Sequence, residues 1–194
     1  SMNHSAEKRE MILEKASTLF SQKGYFGVGI NEIVSACDIP KGSFYHYFPG
    51  GKNQLAVAVV HDAYDKMEMG IRKNIFSVSD NAVEVFCWMA ECLARDIENG
   101  REGLKSLIIT FMGIEATYIS EELDEASKEV YRKWEVLYRE KLMACGYDEM
   151  HADQYSKMLL TLIHGNLISC WISKDSTNLR NIKNLLPNLL PDEN

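Results

Sequence analysis

Apolar residues recur along this chain at helical spacing, and no stretch alternates apolar with polar residues as a half-buried strand does. Ile12, Leu13, Ala16, Leu19 and Phe20 fall at i, i+1, i+4, i+7 and i+8. This is one stripe of a helix that stops at Lys23-Gly24, where Gly24 suits a left-handed terminating residue. Ile30, Ile33, Val34 and Cys37 repeat at 0, 3, 4 and 7, a helix of about two turns that closes at Asp38. Pro40 then suits the first position of a new helix, because the N–H it lacks would be without a partner there. That helix is also short: Phe44 and Phe48 lie one turn apart, and Pro49-Gly50-Gly51 ends it. Leu55, Ala56, Val59, Ala63, Met67 and Ile71 continue as a long helix. Helical periods follow over 82–97, 104–119, 123–145, 150–173 and 179–190, divided by breaks such as "SVSDN", "ENGREG" and "SKDSTN". The pattern predicts an all-α chain of about nine helices.

Charge divides the chain unevenly. Residues 1–52 carry six Lys/Arg against five Asp/Glu, a net of +1, while the remainder carries a net of −8 within a total of −7. An acidic body repels a polyanion, so any contact with nucleic acid has to come from the N-terminal quarter. That quarter contains "IPKGSFYHYFPGGK", which has two lysines, a histidine and four aromatic rings besides, and no carboxylate.

Three helices within some fifty residues, the last two short and tightly joined, form a helix-turn-helix plan. Ile33, Cys37, Ile39, Phe44 and Tyr47 are spaced to pack the two short helices across each other, leaving Lys41, Ser43, Tyr45 and His46 pointing away. The segment "GYFGVGINEIVSACDIPKGSFYHYFPGGKNQL" resembles the DNA-binding segment of the TetR family of transcriptional regulators, most densely over "KGSFYHYF" and the lysine that follows. The "PGGK" form is similar to the branch that regulates drug-resistance and efflux genes. Three positions depart from the family pattern: Asp38 stands where Gly is usual, Val34 where Ala is common, and Gly29 in place of Thr at the start of the second helix. Asp tolerates left-handed backbone, and Gly is an acceptable N-cap that lacks a hydroxyl.

In a helix-turn-helix the second helix enters the major groove with its N-terminal residues toward the bases. Here that end is Pro40, Lys41, Gly42 and Ser43. Lys41 can donate to guanine or to phosphate, Ser43 can read either, and Gly42 allows close backbone approach. Tyr45 and His46 have the length to reach phosphate, Asn31 joins them from the preceding helix, and Lys52 adds charge at the start of the long helix. The expected organisation is a DNA-binding domain over 6–52 and a ligand-binding and dimerisation domain over 53–194.

Within 150–173 the apolar residues exceed one face. Tyr155, Met158, Leu159, Leu162, Ile163, Leu167 and Trp171, with Leu179, Ile182 and Leu186 beyond, are read as a dimer surface. The family resemblance implies a four-helix interface formed by the last two helices of each subunit, and a two-fold dimer sets two reading heads on a palindromic operator of double-stranded DNA. Trp88, Met89, Cys92, Phe111, Met112, Tyr118, Trp134 and Tyr138 suit the lining of a pocket for an apolar small-molecule effector. Glu115, on the stripe of Phe111 and Tyr118, is expected to face that interior, either as a site for a cationic ligand or paired internally with Arg95 or Tyr138. His164 is read as a satisfied core or interface histidine.

The five cysteines are odd in number and show neither C-x-x-C nor Cys/His ligand spacing, which argues against a disulfide framework and a zinc site. No cofactor or metal is expected. No apolar run approaches the ~20 residues of a membrane span, and the reading is a cytoplasmic protein without a membrane partner. The histidines, serines and glycines form no catalytic pattern, so an enzyme is not expected. The alternative is an all-α small-molecule-binding protein or enzyme that keeps this fold without binding DNA.

Overall fold

The computed structural model describes residues 2–100 and 104–191. All regular structure among them is helical: α1 (Met2–Lys23), α2 (Ile30–Cys37), α3 (Lys41–Tyr47), α4 (Gly51–Asn74), a 3-10 turn (Phe76–Val78), α5 (Ala82–Glu98), α6 (Lys105–Ile119), α7 (Glu121–Ala144), α8 (Glu149–Ser173), α9 (Thr177–Arg180) and α10 (Ile182–Leu189). No helix among the described residues is long and apolar enough to cross a membrane. The all-α expectation holds. The helix expected over 179–190 is broken at Asn181, whose backbone carbonyl and side-chain oxygen accept from the backbone and side chain of Asn184 at 2.9 and 3.0 Å. Such local bonding by asparagine competes with a continuous helix.

The chain forms two compact units, residues 1–67 with 102–130 and residues 68–101 with 131–194. In the first unit, α1 packs its stripe of Ile12, Leu13, Ala16 and Phe20 against α2, and α6 lies against α1. An ionic cluster ties α1 to α4 and α6. The Lys66 ammonium meets the carboxylates of Glu10, Glu14 and Asp62, and Lys105 approaches Glu14 at 3.4 Å. Burial pushes the Glu14 carboxyl up, but Lys66 and Lys105 together outweigh it and hold it below its ordinary value.

The second unit is built around α5, against which α8, α9 and α10 all pack. Phe76, Phe86 and Tyr138 form an edge-to-face aromatic cluster with centroids 5.1–6.3 Å apart. The Tyr138 hydroxyl donates to Met89 Sδ at 3.1 Å, and burial raises its pKa. Arg180 of α9 holds Glu98 of α5 through two parallel bonds, 2.8 and 2.5 Å, and also reaches Glu91. The guanidinium and the Ser176 hydroxyl hold the Glu98 carboxyl down at about 2. Helix starts follow from side chains that satisfy free backbone donors: Asn81 Oδ1 accepts from Glu84 N at 3.0 Å at α5, and Asp148 Oδ1 from His151 N at 2.8 Å at α8.

Candidate nucleic-acid interface

The joint between α1 and α2 is fixed by glycines. Gly24 takes φ +72° and donates its N–H to Phe20 O at 2.9 Å, which ends α1. At Gly27 a Cβ would stand 2.2 Å from Lys23 O, so only glycine fits. Gly29 caps α2 in extended backbone, with no side chain to accept from the free N–H groups. At the other end of α2, Asp38 adopts φ 53°, ψ 48°, donating its N–H to Ser35 O, while Ile39 N donates to Val34 O. These two bonds are the Schellman pattern, in which Asp38 occupies the position that glycine usually takes. The left-handed turn that the sequence requires of Asp38 is therefore present.

Pro40 is the N-cap of α3 rather than its first residue; its carbonyl accepts from Ser43 N and Phe44 N. Phe44 and Phe48 are fully buried beneath α3, and Ile33 and Cys37 of α2 are buried with them, while Ile39 and Tyr47 are half-buried. This packing leaves the opposite face of α3 outward. Lys41, Gly42 and His46 are exposed, Tyr45 is 40% exposed and Ser43 is half-buried. Pro40 and Asn31 are exposed beside them. The sequence-predicted reading residues thus share one solvent-facing end of the first unit. Seven residues of helix span about 10 Å, a length that a major groove about 12 Å wide admits.

Lys52 lies where α3 gives way to α4. Gly51, at φ +74°, turns the chain, and a Cβ there would stand 3.7 Å from the Tyr45 ring. Lys52 is half-buried with its ammonium 3.9 Å from the centre of the Tyr25 ring, and burial lowers its pKa. The Gln54 side chain accepts from Gly50 N at 2.6 Å, and Asn53 Oδ1 accepts from the Ser120 hydroxyl at 2.5 Å. Two participants were not legible in the sequence. Tyr25 reads there as one more aromatic beside a glycine, and Arg9, exposed with its guanidinium 5.2 Å from the Phe48 ring, lies outside the three-helix motif's turn.

The residues expected to line an effector pocket belong to both units. Met89, Trp134 and Tyr138 are core of the second unit; Trp88 and Cys92 are half-buried there, the Trp88 indole donating to Asn74 O at 3.2 Å beneath Arg95. Phe111, Met112, Glu115 and Tyr118 belong to α6 in the first unit. Met112 is buried, but Phe111 is 37% and Tyr118 82% exposed, so their stripe faces solvent and Tyr118 lines no interior. Glu115 addresses the end of α1 instead: its Oε1 lies 3.6 Å from where a Cβ on Gly24 would stand, and Oε2 is buried without a hydrogen-bond partner.

The residues expected at a dimer surface divide by burial within the single chain. Leu159, Ile163, Leu167, Leu179, Ile182 and Leu186 are buried within the single chain, because the inward face of α8 and the buried sides of α9 and α10 are covered by their packing around α5. Tyr155, Met158, Leu162 and Trp171 remain half-buried. The outer side of α8 adds Ile172, 74% exposed, and α10 adds the exposed Leu185 and Leu189. His164, expected to be satisfied, is 8% exposed with Nε2 unpartnered, its ring centre 4.0 Å from that of Trp134; burial holds its pKa down at about 4.

Comparison with known proteins matches this geometry. Residues 12–59 match the model of bacterial regulatory proteins of the tetR family, and residues 82–185 match that of the LmrA/YxaF-like transcriptional regulator C-terminal domain. The chain is 33% identical over 184 residues to the HTH-type transcriptional regulator LmrA of Bacillus subtilis, covering 95% of this chain and 97% of that protein. It is also 33% identical over 189 residues to the HTH-type transcriptional regulator YxaF of the same organism, covering 97% and 98%. The crystal structure of reduced Escherichia coli NemR shares the fold, with a TM-score of 0.81 at 22% identity over 94% of this chain and 96% of that one. A helix-turn-helix with its polar face outward, continued by an LmrA/YxaF-like helical domain, makes this chain a member of the TetR family of bacterial transcriptional regulators.

Proposed function

We propose that this regulator is a repressor that holds a palindromic operator as a homodimer and releases it when a small apolar molecule binds its larger helical part. The observation that carries the reading is the outward polar face of α3, with Lys41, Gly42, Ser43, Tyr45 and His46 over the buried Phe44 and Phe48. Lys41, Gly42 and Ser43 sit at the N-terminal end that a recognition helix presents to base edges, while Tyr45, His46 and Lys52 suit phosphate. The body of the protein is acidic, so this head is the part a polyanion tolerates.

A two-fold pair of heads fits half-sites one helical turn of DNA apart. The outer side of α8 supports the pairing, since Met158, Leu162 and Ile172 run along it beside the exposed Gly165. The placement of Glu115 at the end of α1 removes the reason to expect a cationic effector, and an apolar one suits the Met and aromatic content of the second unit.

Titration of the full chain onto DNA flanking its own gene, at several salt concentrations, tests the reading. The parent should bind with affinity that falls steeply with salt. Lys41→Ala should weaken that binding and change the ranking of operator variants, each altered base costing about 1–3 kcal/mol in the parent. Salt-independent binding, or an unchanged ranking with Lys41→Ala, overturns the assignment of α3 as the reading helix.

A further inference from the structure

Lys52 differs from the other basic groups of the reading head in having a built seat. The turn that makes it is written in "KGYFG": Gly24 turns the backbone left-handed, Gly27 fits only because it has no Cβ, and Val28 N closes the loop by donating to Tyr25 O at 3.3 Å. The ring of Tyr25 is held between two aromatic neighbours, stacked on Phe20 with centroids 5.9 Å apart and met edge-on by Phe26 at 5.3 Å. Its face is thereby presented to the start of α4, and the Lys52 ammonium rests 3.9 Å from its centre. The neighbouring backbone is pinned too, by Gln54 on Gly50 and by the Ser120 hydroxyl on Asn53.

We infer that Tyr25 is a positioning residue for DNA binding: its ring face holds the Lys52 ammonium at the N-terminus of α4, where that charge meets a backbone phosphate. The inference rests on the reading of this head as the DNA-binding surface. A lysine on a four-carbon stem otherwise samples many rotamers, and ordering it on contact with DNA opposes binding. A ring face attracts the cation without neutralising it, since it carries no charge. One side of the ammonium is then occupied by the ring and the rest stays available to an anion, beside helix N–H groups that favour the same charge. The lowered pKa of Lys52 agrees with a cation already partly withdrawn from water. A carboxylate in place of Tyr25 would hold the lysine as firmly but cancel its charge, which is why an aromatic face suits this role.

A phosphate contact carries no sequence information, so mixed-sequence duplex DNA and the full-length protein suffice as the test. Lys52→Ala should weaken binding and lower the salt slope by about 1. Tyr25→Leu, which keeps apolar bulk and removes the ring face, should weaken binding about 2- to 5-fold. Tyr25→Phe should match the parent. In the Lys52→Ala background Tyr25→Leu should add nothing. Nuclear magnetic resonance of the Lys52 ammonium should show its pKa falling further below the ordinary lysine value in Tyr25→Leu, where the apolar bulk stays and the attraction of the ring face is gone. Should that variant fold poorly, progressively fluorinated phenylalanines at position 25 keep the shape while weakening the ring face, and affinity should fall with each fluorine. A loss that adds fully to that of Lys52→Ala, or affinity insensitive to fluorination, overturns the inference and leaves the head assignment standing. No loss with Lys52→Ala itself also overturns the inference, whereas a parent protein that binds no duplex overturns the head assignment.

Discussion

The first fifty residues and the last sixty-five are equally helical, yet they constrain their own surfaces in opposite ways. In the reading head α2 and α3 are short, and the residues around them have single conformational uses: Gly24 and Gly51 at positive φ, Gly27 without room for a Cβ, Asp38 left-handed, Pro40 at a cap. Such residues leave little choice in how α2 and α3 cross, so the outward face of α3 follows from which of its side chains are apolar. In the C-terminal part α8 runs for 25 residues and carries apolar side chains around much of its circumference. Composition there tells that the helix is covered on several sides, and leaves open which cover comes from its own chain and which from another molecule.

The most forceful way to separate those two kinds of cover is to place a charge on opposite sides of α8. Ile163→Glu puts a carboxylate among residues buried against α5, where an unpaired charge costs several kcal/mol, and the chain should fail to fold cooperatively. Gly165→Glu, two residues on, enters open space on the exposed side, where a Cβ meets no neighbour within 4 Å. Replacing a helical glycine should leave the single chain as stable as before or about 0.5 kcal/mol more so. It should nonetheless shift sedimentation from dimer to monomer. A Gly165→Glu protein that stays dimeric shows that the outer side of α8 is not the interface.

This contrast explains what the sequence could disclose. The helix-turn-helix, its turn at Asp38 and its outward set from Lys41 to His46 follow from periodicity and turn chemistry, both local. Of Glu115, helical spacing says only that it shares a stripe with Phe111 and Tyr118. Whether that stripe faces a core depends on the packing of α6, which lies against α1 with Tyr118 outside. That Leu159 and Ile163 are buried within their own chain, on a helix packed against α5, is a long-range fact that periodicity does not carry. Tyr25 escaped notice because a ring face acquires meaning only from the cation set on it, and Lys52 lies twenty-seven positions away.

Acid sharpens the comparison next, because the two regions hold their histidines differently. His46 is exposed on α3, whereas His164 is enclosed beside Trp134 and kept neutral, its pKa depressed from 6.5 to about 4. Below pH 6.5 the unfolded chain takes up a proton at residue 164 that the folded chain refuses. The stability that depends on neutral His164 is therefore complete above pH 6.5 and drains away as the pH falls toward 4, by about 3 kcal/mol in all. Denaturant unfolding of His164→Leu across that range should show a correspondingly flatter dependence than the parent. Equal slopes for the two proteins would mean that the buried imidazole is not the group that titrates.

In the reading head the effects are smaller and run toward stabilisation, since its departures from ideal turn chemistry lie on exposed backbone. Asp38 occupies the left-handed end of α2, a conformation that costs a residue with a Cβ roughly 1–2 kcal/mol, of which asparagine and aspartate recover part. Asp38→Gly removes that strain and should raise unfolding stability by about 1 kcal/mol, without altering the face of α3. Thermal unfolding checks the first claim and DNA titration the second. A loss of stability would instead mean that the Asp38 carboxylate makes a local bond worth more than the strain.

Gly29 offers the finest test, because one substitution there separates a stability effect from a DNA contact. It caps α2 with φ −102° and ψ 160°, backbone that any residue adopts, and a Cβ there meets nothing within 4 Å. Serine therefore fits without strain, and its hydroxyl can accept from a free N–H in the first turn of α2, a gain of a few tenths of a kcal/mol over glycine. The same hydroxyl, beside the exposed Asn31, can also donate to a phosphate when the head is on DNA. Gly29→Ser should accordingly stabilise the chain slightly and tighten binding to every duplex alike, with no change in sequence ranking. The salt slope should stay as it was, because a neutral donor displaces no counterion. A gain in stability with unchanged affinity would confine position 29 to capping and place the DNA contacts of α2 further along, at Asn31.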